Sequence, residues 1–301
     1  MSDKTLIVIT GPTAIGKTSL AITIARFFNT EIVSCDSRQF FKEMQIGTAK
    51  PSQEELNQVK HHFINSHSIS DKFSVGDFEK QGIEVIQNIF LTHDTAVLVG
   101  GSGLYIKAIT TGFDELPQSD PKIREDLNSL YQNEGITALQ QKLKQVDPHY
   151  FLEVDLNNPQ RVIRALEVSI SSGLPFSSYH SNNQKTRPFN IIKIGLNTAR
   201  DLLYSRINFR VDQMLKDGLI EEVKSLILYR HLNALNTVGY SEIFEFLDDK
   251  ISLNQAVEKL KQNTRRFAKR QLTWFRKDEE IKWFEPEESY AIIEYLNKTL
   301  K

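Results

Sequence analysis

Cysteine is almost absent from this chain: one residue, Cys35, in 301. A lone cysteine excludes an internal disulfide and any cysteine-based zinc site, and it fits a reducing compartment. Long hydrophobic runs are absent too, so nothing in the sequence is expected to span a bilayer. The opening Met1-Ser2-Asp3-Lys4 has no signal-peptide character, and the expectation is a cytoplasmic protein without membrane attachment. Net charge is also missing, with 37 Lys and Arg against 38 Asp and Glu. A balance of −1 gives no global attraction to nucleic acid, so any such binding must come from local basic patches. There is no internal repeat and no low-complexity tract. What remains is ordinary globular composition, 40% hydrophobic and 25% charged, long enough for one large or two smaller domains.

Against that background one stretch stands out, Gly11-Pro12-Thr13-Ala14-Ile15-Gly16-Lys17-Thr18. It follows an apolar β-rich run, Leu6 to Thr10, and leads into a helical pattern from Ser19 to Ala25. Strand, Gly-x4-Gly-Lys-Thr, helix is the context a phosphate-binding loop needs. Gly11 and Gly16 permit backbone angles and close approach that a side chain would block. Successive N–H groups at the helix start point at an anion, with the helix dipole behind them. Lys17 would reach terminal phosphate oxygens and the Thr18 hydroxyl would sit on Mg²⁺. The loop predicts a bound di- or triphosphate without saying which.

Further strands are predicted at 31–37, ending near Asp36, and at 95–99, running into the second Gly-rich turn Gly100-Gly101-Ser102-Gly103. Asp36, at the carboxyl end of a strand beside the phosphate loop, reads as a functional carboxylate, a helix cap or a ligand to Mg²⁺-bound water. Ser52 caps a helix expected to reach about Lys60, and another runs from Ser74 to about Leu91. His61 and His62 point apart on any regular element and make a poor metal pair; they read as structural or substrate-lining. Alternating strands and helices argue a parallel, doubly wound sheet. From Asp114 the texture changes. Leu116-Pro117-Gln118-Ser119-Asp120-Pro121 reads as a linker, followed by helices near 121–133, 136–146 and 159–171 with no strand between them. Arg161 and Arg164 lie at i, i+3 on one helix face. The sheet resumes at 190–196, followed by helices near 199–217, 218–230, 239–248 and 252–277, a strand at 281–284 and a last helix. The helix from Ser252 carries Arg265, Arg266, Lys269, Arg270, Arg276 and Lys277 between Phe267, Trp274 and Phe275. Such interleaving can track an RNA backbone; the aromatics are assigned to the core, and the charges stay open between RNA contacts and a solvated face.

Several stretches together resemble one family. They are Gly11–Thr18, Asp36-Ser37-x-Gln39, Ile46 to Pro51, Phe73 to Phe78, Gly100 to Tyr105, Asn158 to Glu167, Val238-Gly239-Tyr240 and Thr264 to Trp274. In this order, over nearly the whole length, they resemble the bacterial tRNA dimethylallyltransferases, also called tRNA isopentenyltransferases. The resemblance implies an α/β fold: a P-loop NTPase-like doubly wound parallel sheet, residues 1–114 and 190–301, with an inserted helical tRNA-binding domain, residues 115–189. It implies transfer of a dimethylallyl group from dimethylallyl diphosphate to N6 of the adenine 3′ of the anticodon, with Mg²⁺ as cofactor and the tRNA anticodon stem-loop as partner. A monomer is expected.

Carried over position by position, the resemblance makes Asp36 the general base, with Lys17 and Thr18 completing the catalytic set. Gly11, Pro12, Thr13, Ala14, Ile15, Gly16, Lys17 and Thr18 would hold the diphosphate, with Arg200 and Arg206 as a further clamp, and Thr18 would hold the metal. Asp36, Ser37, Arg38 and Gln39 would meet the flipped base, and Gln160, Arg161, Val162, Ile163 and Arg164 the anticodon loop. Ser102 and Arg124 match two more tRNA contact positions. One departure is Arg38-Gln39-Phe40-Phe41, where other members often carry a different residue at 38 and a Tyr near 41, so base contacts there would differ in detail. Two other classes compete on the residues alone: an ATP-dependent kinase of a small metabolite, which would use the same loop, and a nucleotide-sensing RNA-binding module without turnover.

Overall fold

The computed structural model describes residues 4–114, 116–117, 120–180 and 185–300. Met1-Ser2-Asp3 and Gln118-Ser119 of the stretches read above lie outside them. Among the described residues six strands form one sheet: β1 (Thr5–Thr10), β2 (Ile32–Ser34), β3 (His61–His62), β4 (Thr95–Val99), β5 (Asn190–Leu196) and β6 (Lys282–Phe284). Their order is β3-β2-β4-β1-β5-β6 and every pairing is parallel. β1 takes the middle because all six of its residues are apolar or Thr and all are buried. Its alternate side chains serve two cores, Ile7 and Ile9 on one face, Leu6 and Val8 on the other. That is how a parallel sheet covered on both sides must divide a continuous apolar run.

The helices alternate with the strands: α1 (Lys17–Phe27), α2 (Gln53–Leu56), α3 (Val75–Phe90) and α4 (Gly103–Thr110). α2 closes at Leu56, short of the expected reach to Lys60, because the chain must extend into β3, a two-residue edge strand with too little pattern to predict. The helices of the inserted segment are α5 (Pro121–Glu134), α6 (Ile136–Val146), α7 (Pro148–Glu153) and α8 (Pro159–Ser172). Three of them begin with Pro at the first position behind an Asp120, Asp147 or Asn158 side-chain cap. Pro148, which falls between the helices expected at 136–146 and 159–171, therefore opens a further helix. The chain then continues as α9 (Arg200–Lys216), α10 (Leu219–Ser225), α11 (Ser241–Leu247), α12 (Leu253–Phe275) and α13 (Ser289–Thr299).

Contacts divide the chain into two compact units, Met1–Thr111 with Thr186–Lys301, and Gly112–Lys185. The helical unit has its own core, built on Leu127, Leu139, Leu143, Val162, Ile163 and Leu166. No helix among the described residues is long and apolar enough to cross a membrane.

Candidate active site

The phosphate loop joins β1 to α1 through three residues in left-handed or otherwise positive φ, Gly11 at 147°, Ala14 at 63° and Gly16 at 103°. A side chain at Gly11 would also meet the Leu196 carbonyl at 2.7 Å, so β5 lies directly behind the loop. Lys17 folds back to donate to the Pro12 carbonyl at 2.7 Å. Enclosure of its ammonium, helped by neighbouring Arg210 and opposed by Asp36, brings its pKa down to about 8. An anion in the loop would hold this proton on.

Two other elements brace the loop. Gln271 of α12 accepts from the Thr13 N–H at 2.9 Å and donates to the Gly101 carbonyl at 2.9 Å, tying the two Gly-rich turns together. Gly101 and Gly103 make room for this: a Cβ at either would fall 2.2 Å from Gln271 Nε2 or Trp274 Nε1. From α9, Arg210 donates to Thr13 Oγ1 at 3.2 Å and to the Ala49 carbonyl at 3.3 Å.

Two cavities meet here. One, of about 300 Å³, is walled by the loop with Lys17, Thr18, Ser34, Lys50 and His61. The other, of about 440 Å³, has a largely apolar wall with Leu104, Tyr105, Met214, Val238, Phe267 and Trp274. Thr13, Asp36, Thr48, Arg210, Phe267 and Gln271 line both. Asp36, just beyond β2, is held by an N-terminal turn of its own: its carboxylate accepts from the Arg38 N–H at 3.0 Å. The negative charge of Asp36 favours the protonated forms of Lys17 and Arg210 against their burial.

The far wall is the segment 45–50, and one carboxylate shapes it. Glu222 of α10 accepts from the N–H groups of Gln45, Ile46 and Gly47 at 2.9, 2.7 and 3.0 Å, and from the Tyr240 hydroxyl at 2.6 Å. Gly47 lies against the Tyr240 ring, where a Cβ would come within 2.6 Å. Gln39 donates to the Thr48 and Ala49 carbonyls from inside.

The structure thus brings Gly11 to Thr18, Asp36, Ser37, Arg38, Gln39 and Ser102 to one place. Ser37 and Ser102 touch, with the Ser37 N–H and the Ser102 Oγ 3.3 Å apart. Arg206 and Arg200 are placed differently. Arg206 donates to the Ile15 carbonyl at 3.4 Å and pairs with Glu287 at 2.5 Å, so it supports the loop from behind. Arg200 lies over the Tyr204 ring and lines a separate cavity. In the helical unit Arg124 pairs with Glu167 and bonds Gln160, while Arg161 is exposed and Arg164 is half-buried, 3.4 Å from Glu167. Val162 and Ile163, expected at the anticodon loop, have fully buried side chains, because the i, i+3, i+4 pattern that makes α8 amphipathic turns them inward. The aromatics of α12 also need correction. Phe275 is core, but Phe267 and Trp274 are 37% and 42% exposed and line the apolar cavity. Arg210, Gln271 and Glu222 were missed as site residues. Arg210 was one of three arginines on its helix with nothing to single it out. Gln271 lay inside a recognised motif, and Glu222 carried no signal. His61 does line the phosphate-loop cavity, with its Nε2 buried and unbonded, while His62 pairs with Glu31 at 2.5 Å.

The family model for IPP transferase matches residues 39–278. A tRNA dimethylallyltransferase of Christiangramia forsetii is 56% identical over 296 residues, 98% of each chain. One from Bacteroides fragilis is 46% identical over the full length of both. Among solved structures, a tRNA isopentenylpyrophosphate transferase from Bacillus halodurans superposes with a TM-score of 0.74 at 37% identity, covering 99% of this chain and 97% of that one. A eukaryotic dimethylallyltransferase acting on tRNA gives 0.80 at 27% identity, covering 94% and 74%. The kinase reading is not favoured by any of these. The family model spans most of the chain and full-length relatives share its sequence, and the chain belongs to the IPP transferase family of tRNA dimethylallyltransferases.

Proposed function

We propose that the chain transfers the dimethylallyl group of dimethylallyl diphosphate to N6 of the adenine 3′ of the anticodon. The observation that carries this is Asp36 on the common wall of two cavities, one fitted to phosphate and one with a largely apolar wall. An allylic diphosphate laid across that wall has its head in the loop and its five-carbon group at the junction. The larger cavity then receives the base, with Phe267 and Trp274 offering rings to stack on.

Transfer breaks the bond between the allylic carbon and oxygen and leaves both bonding electrons on the diphosphate. The loop N–H groups, Lys17 and Arg210 face that growing charge. Thr18 offers a hard oxygen that, with phosphate oxygens and water, fits Mg²⁺, which would neutralise charge on the leaving group when bound. Adenine N6 is a weak nucleophile, its lone pair delocalised into the ring. Asp36 accepts a hydrogen bond from N6 and takes its proton as the new carbon–nitrogen bond forms. Arg161, exposed on α8, with Arg124 and Gln160 beside it, gives the helical unit a polar face for the anticodon stem-loop.

The test is a mass measurement on unmodified tRNA bearing adenine 3′ of the anticodon. With Mg²⁺ and dimethylallyl diphosphate, the expected result is one added dimethylallyl group on that adenine, absent with ATP in place of the donor. No added mass, with phosphate released from ATP, would overturn the reading.

A further inference from the structure

The wall segment 45–50 is gripped from two sides. It is a single helical turn: the Ala49 N–H donates to the Ile46 carbonyl at 2.9 Å and the Lys50 N–H to the Gln45 carbonyl at 3.4 Å. The first N–H groups of such a turn have no partner within it. Glu222 takes them from outside. One of its oxygens accepts from Gln45 and Ile46, the other from Gly47 and the Tyr240 hydroxyl. All four partners are donors and both oxygens are in use, so four charge-assisted bonds converge on one carboxylate.

The inner side of the same turn holds two groups of the active site. The Thr48 and Ala49 carbonyls each accept from Gln39 Nε2 at 3.2 Å. The Ala49 carbonyl also accepts from Arg210 at 3.3 Å. Among the described residues the other hydrogen bond of Arg210 goes to Thr13 Oγ1 in the phosphate loop, at 3.2 Å. Its guanidinium therefore spans from the turn to the loop, and it lines both cavities. Ala49 makes these contacts at a φ of 45°, in the left-handed region. A residue with a Cβ stays there only while its surroundings hold it. Here Gln39 and Arg210 hold it from inside, and Glu222 fixes the start of its turn from outside.

This grip needs a carboxylate. An amide of the same shape has one acceptor oxygen, and its NH2 would meet N–H and O–H donors. The donors left unmet would loosen the turn and let the Ala49 carbonyl drift from Arg210.

We propose that Glu222 is a positioning residue of the phosphate site: through the turn 45–50 it sets the Ala49 carbonyl, and through that carbonyl the place of the Arg210 guanidinium beside the phosphate loop. This rests on the reading above, in which Arg210 faces the leaving diphosphate.

The test is a double-variant cycle of Glu222→Gln and Arg210→Gln, after thermal melting has established that each variant folds. It is read first as affinity for inorganic diphosphate by calorimetry in Mg²⁺ buffer, then as kcat/KM for dimethylallyl diphosphate. Each single variant is expected to weaken diphosphate binding about tenfold. With Arg210→Gln already present, Glu222→Gln should cost less than about twofold, because the group it acts through is gone. A lowered melting temperature with unchanged affinity would mean a role in stability alone and overturns the proposal. Losses that multiply to about a hundredfold overturn it too. Should Glu222→Gln fail to fold, Tyr240→Phe removes one of the four donors and keeps the carboxylate. It is expected to weaken diphosphate binding about threefold alone and not at all beside Arg210→Gln; an equal loss in both backgrounds overturns the proposal. Should the wild type bind diphosphate without transferring a dimethylallyl group to tRNA, the function reading fails, and the affinity cycle still decides the role of Glu222.

Discussion

At the residue scale the site turns on two side chains whose charges are coupled. Among the described residues Asp36 is the only carboxylate on the wall common to the two active-site cavities. Asp36→Ala is expected to lower kcat by about 10²- to 10⁴-fold with tRNA binding nearly unchanged. Equal losses in kcat and tRNA affinity would make Asp36 a binding group instead. Lys17 carries a pH signature. Its pKa is near 8 when folded and about 10.5 when exposed, so the folded chain holds fewer protons across that window. The penalty on stability is present in full below pH 8 and is relieved as pH rises towards 10.5. Diphosphate binding runs the other way, since it needs the charged form. The KM for the donor is expected to climb above pH 8, by up to about tenfold per unit. Lys17→Arg, charged throughout, flattens that limb, and steady-state kinetics across pH 7 to 10 read both.

At the element scale α12 decides the geometry. Its Gln271 joins two Gly-rich turns that are far apart in the chain, and its Phe267 and Trp274 face the apolar cavity. This works only because Gly101 leaves space. Gly101→Ala puts a methyl 2.2 Å from Gln271 Nε2, so the amide must leave its place and the Thr13 N–H loses its acceptor. The expected cost is about 1–3 kcal/mol in urea unfolding, together with a loss of transfer larger than that stability change explains. Full activity in this variant would remove Gln271 as a positioning residue.

At the scale of the whole molecule, each of the two units has core of its own, and helix α8 shows what separates packing from binding. Ile163 is fully buried while Arg161, two residues earlier, is exposed. Ile163→Ala is expected to destabilise Gly112–Lys185 by about 2–4 kcal/mol. Hydrogen exchange should then quicken across α5 to α8 and leave the amides of β1 and β4 protected. Arg161→Ala should leave exchange alone and weaken tRNA binding, with a salt slope lowered by about one. An unchanged slope would take Arg161 out of the phosphate contacts.

Local chemistry was enough to read much of this from the sequence. Gly11 to Thr18 announces itself because a phosphate loop is a contiguous device, the strands β1 and β4 show as buried runs ending at glycine, and β5 shows as an apolar run. α5 and α8 are legible through Pro at the first position behind an Asp or Asn cap, and α6 through the Gly135 break before it. What the sequence could not say concerns distance in space. Arg200, Arg206 and Arg210 lie on one helix, and only the packing of α9 against the loop sends Arg210 to Thr13, Arg206 to Ile15 and Arg200 to a cavity of its own. Glu222 joins a segment some 175 residues away, and Gln271 one 258 residues away. Val162 and Ile163 sat inside a motif that also holds Arg161, and a motif does not state which side of a helix faces inward. The sequence by itself determined that a phosphate-loop motif sits on a parallel sheet; only the tertiary structure decided which charges surround it, because long-range packing, unlike loop chemistry, leaves no local pattern.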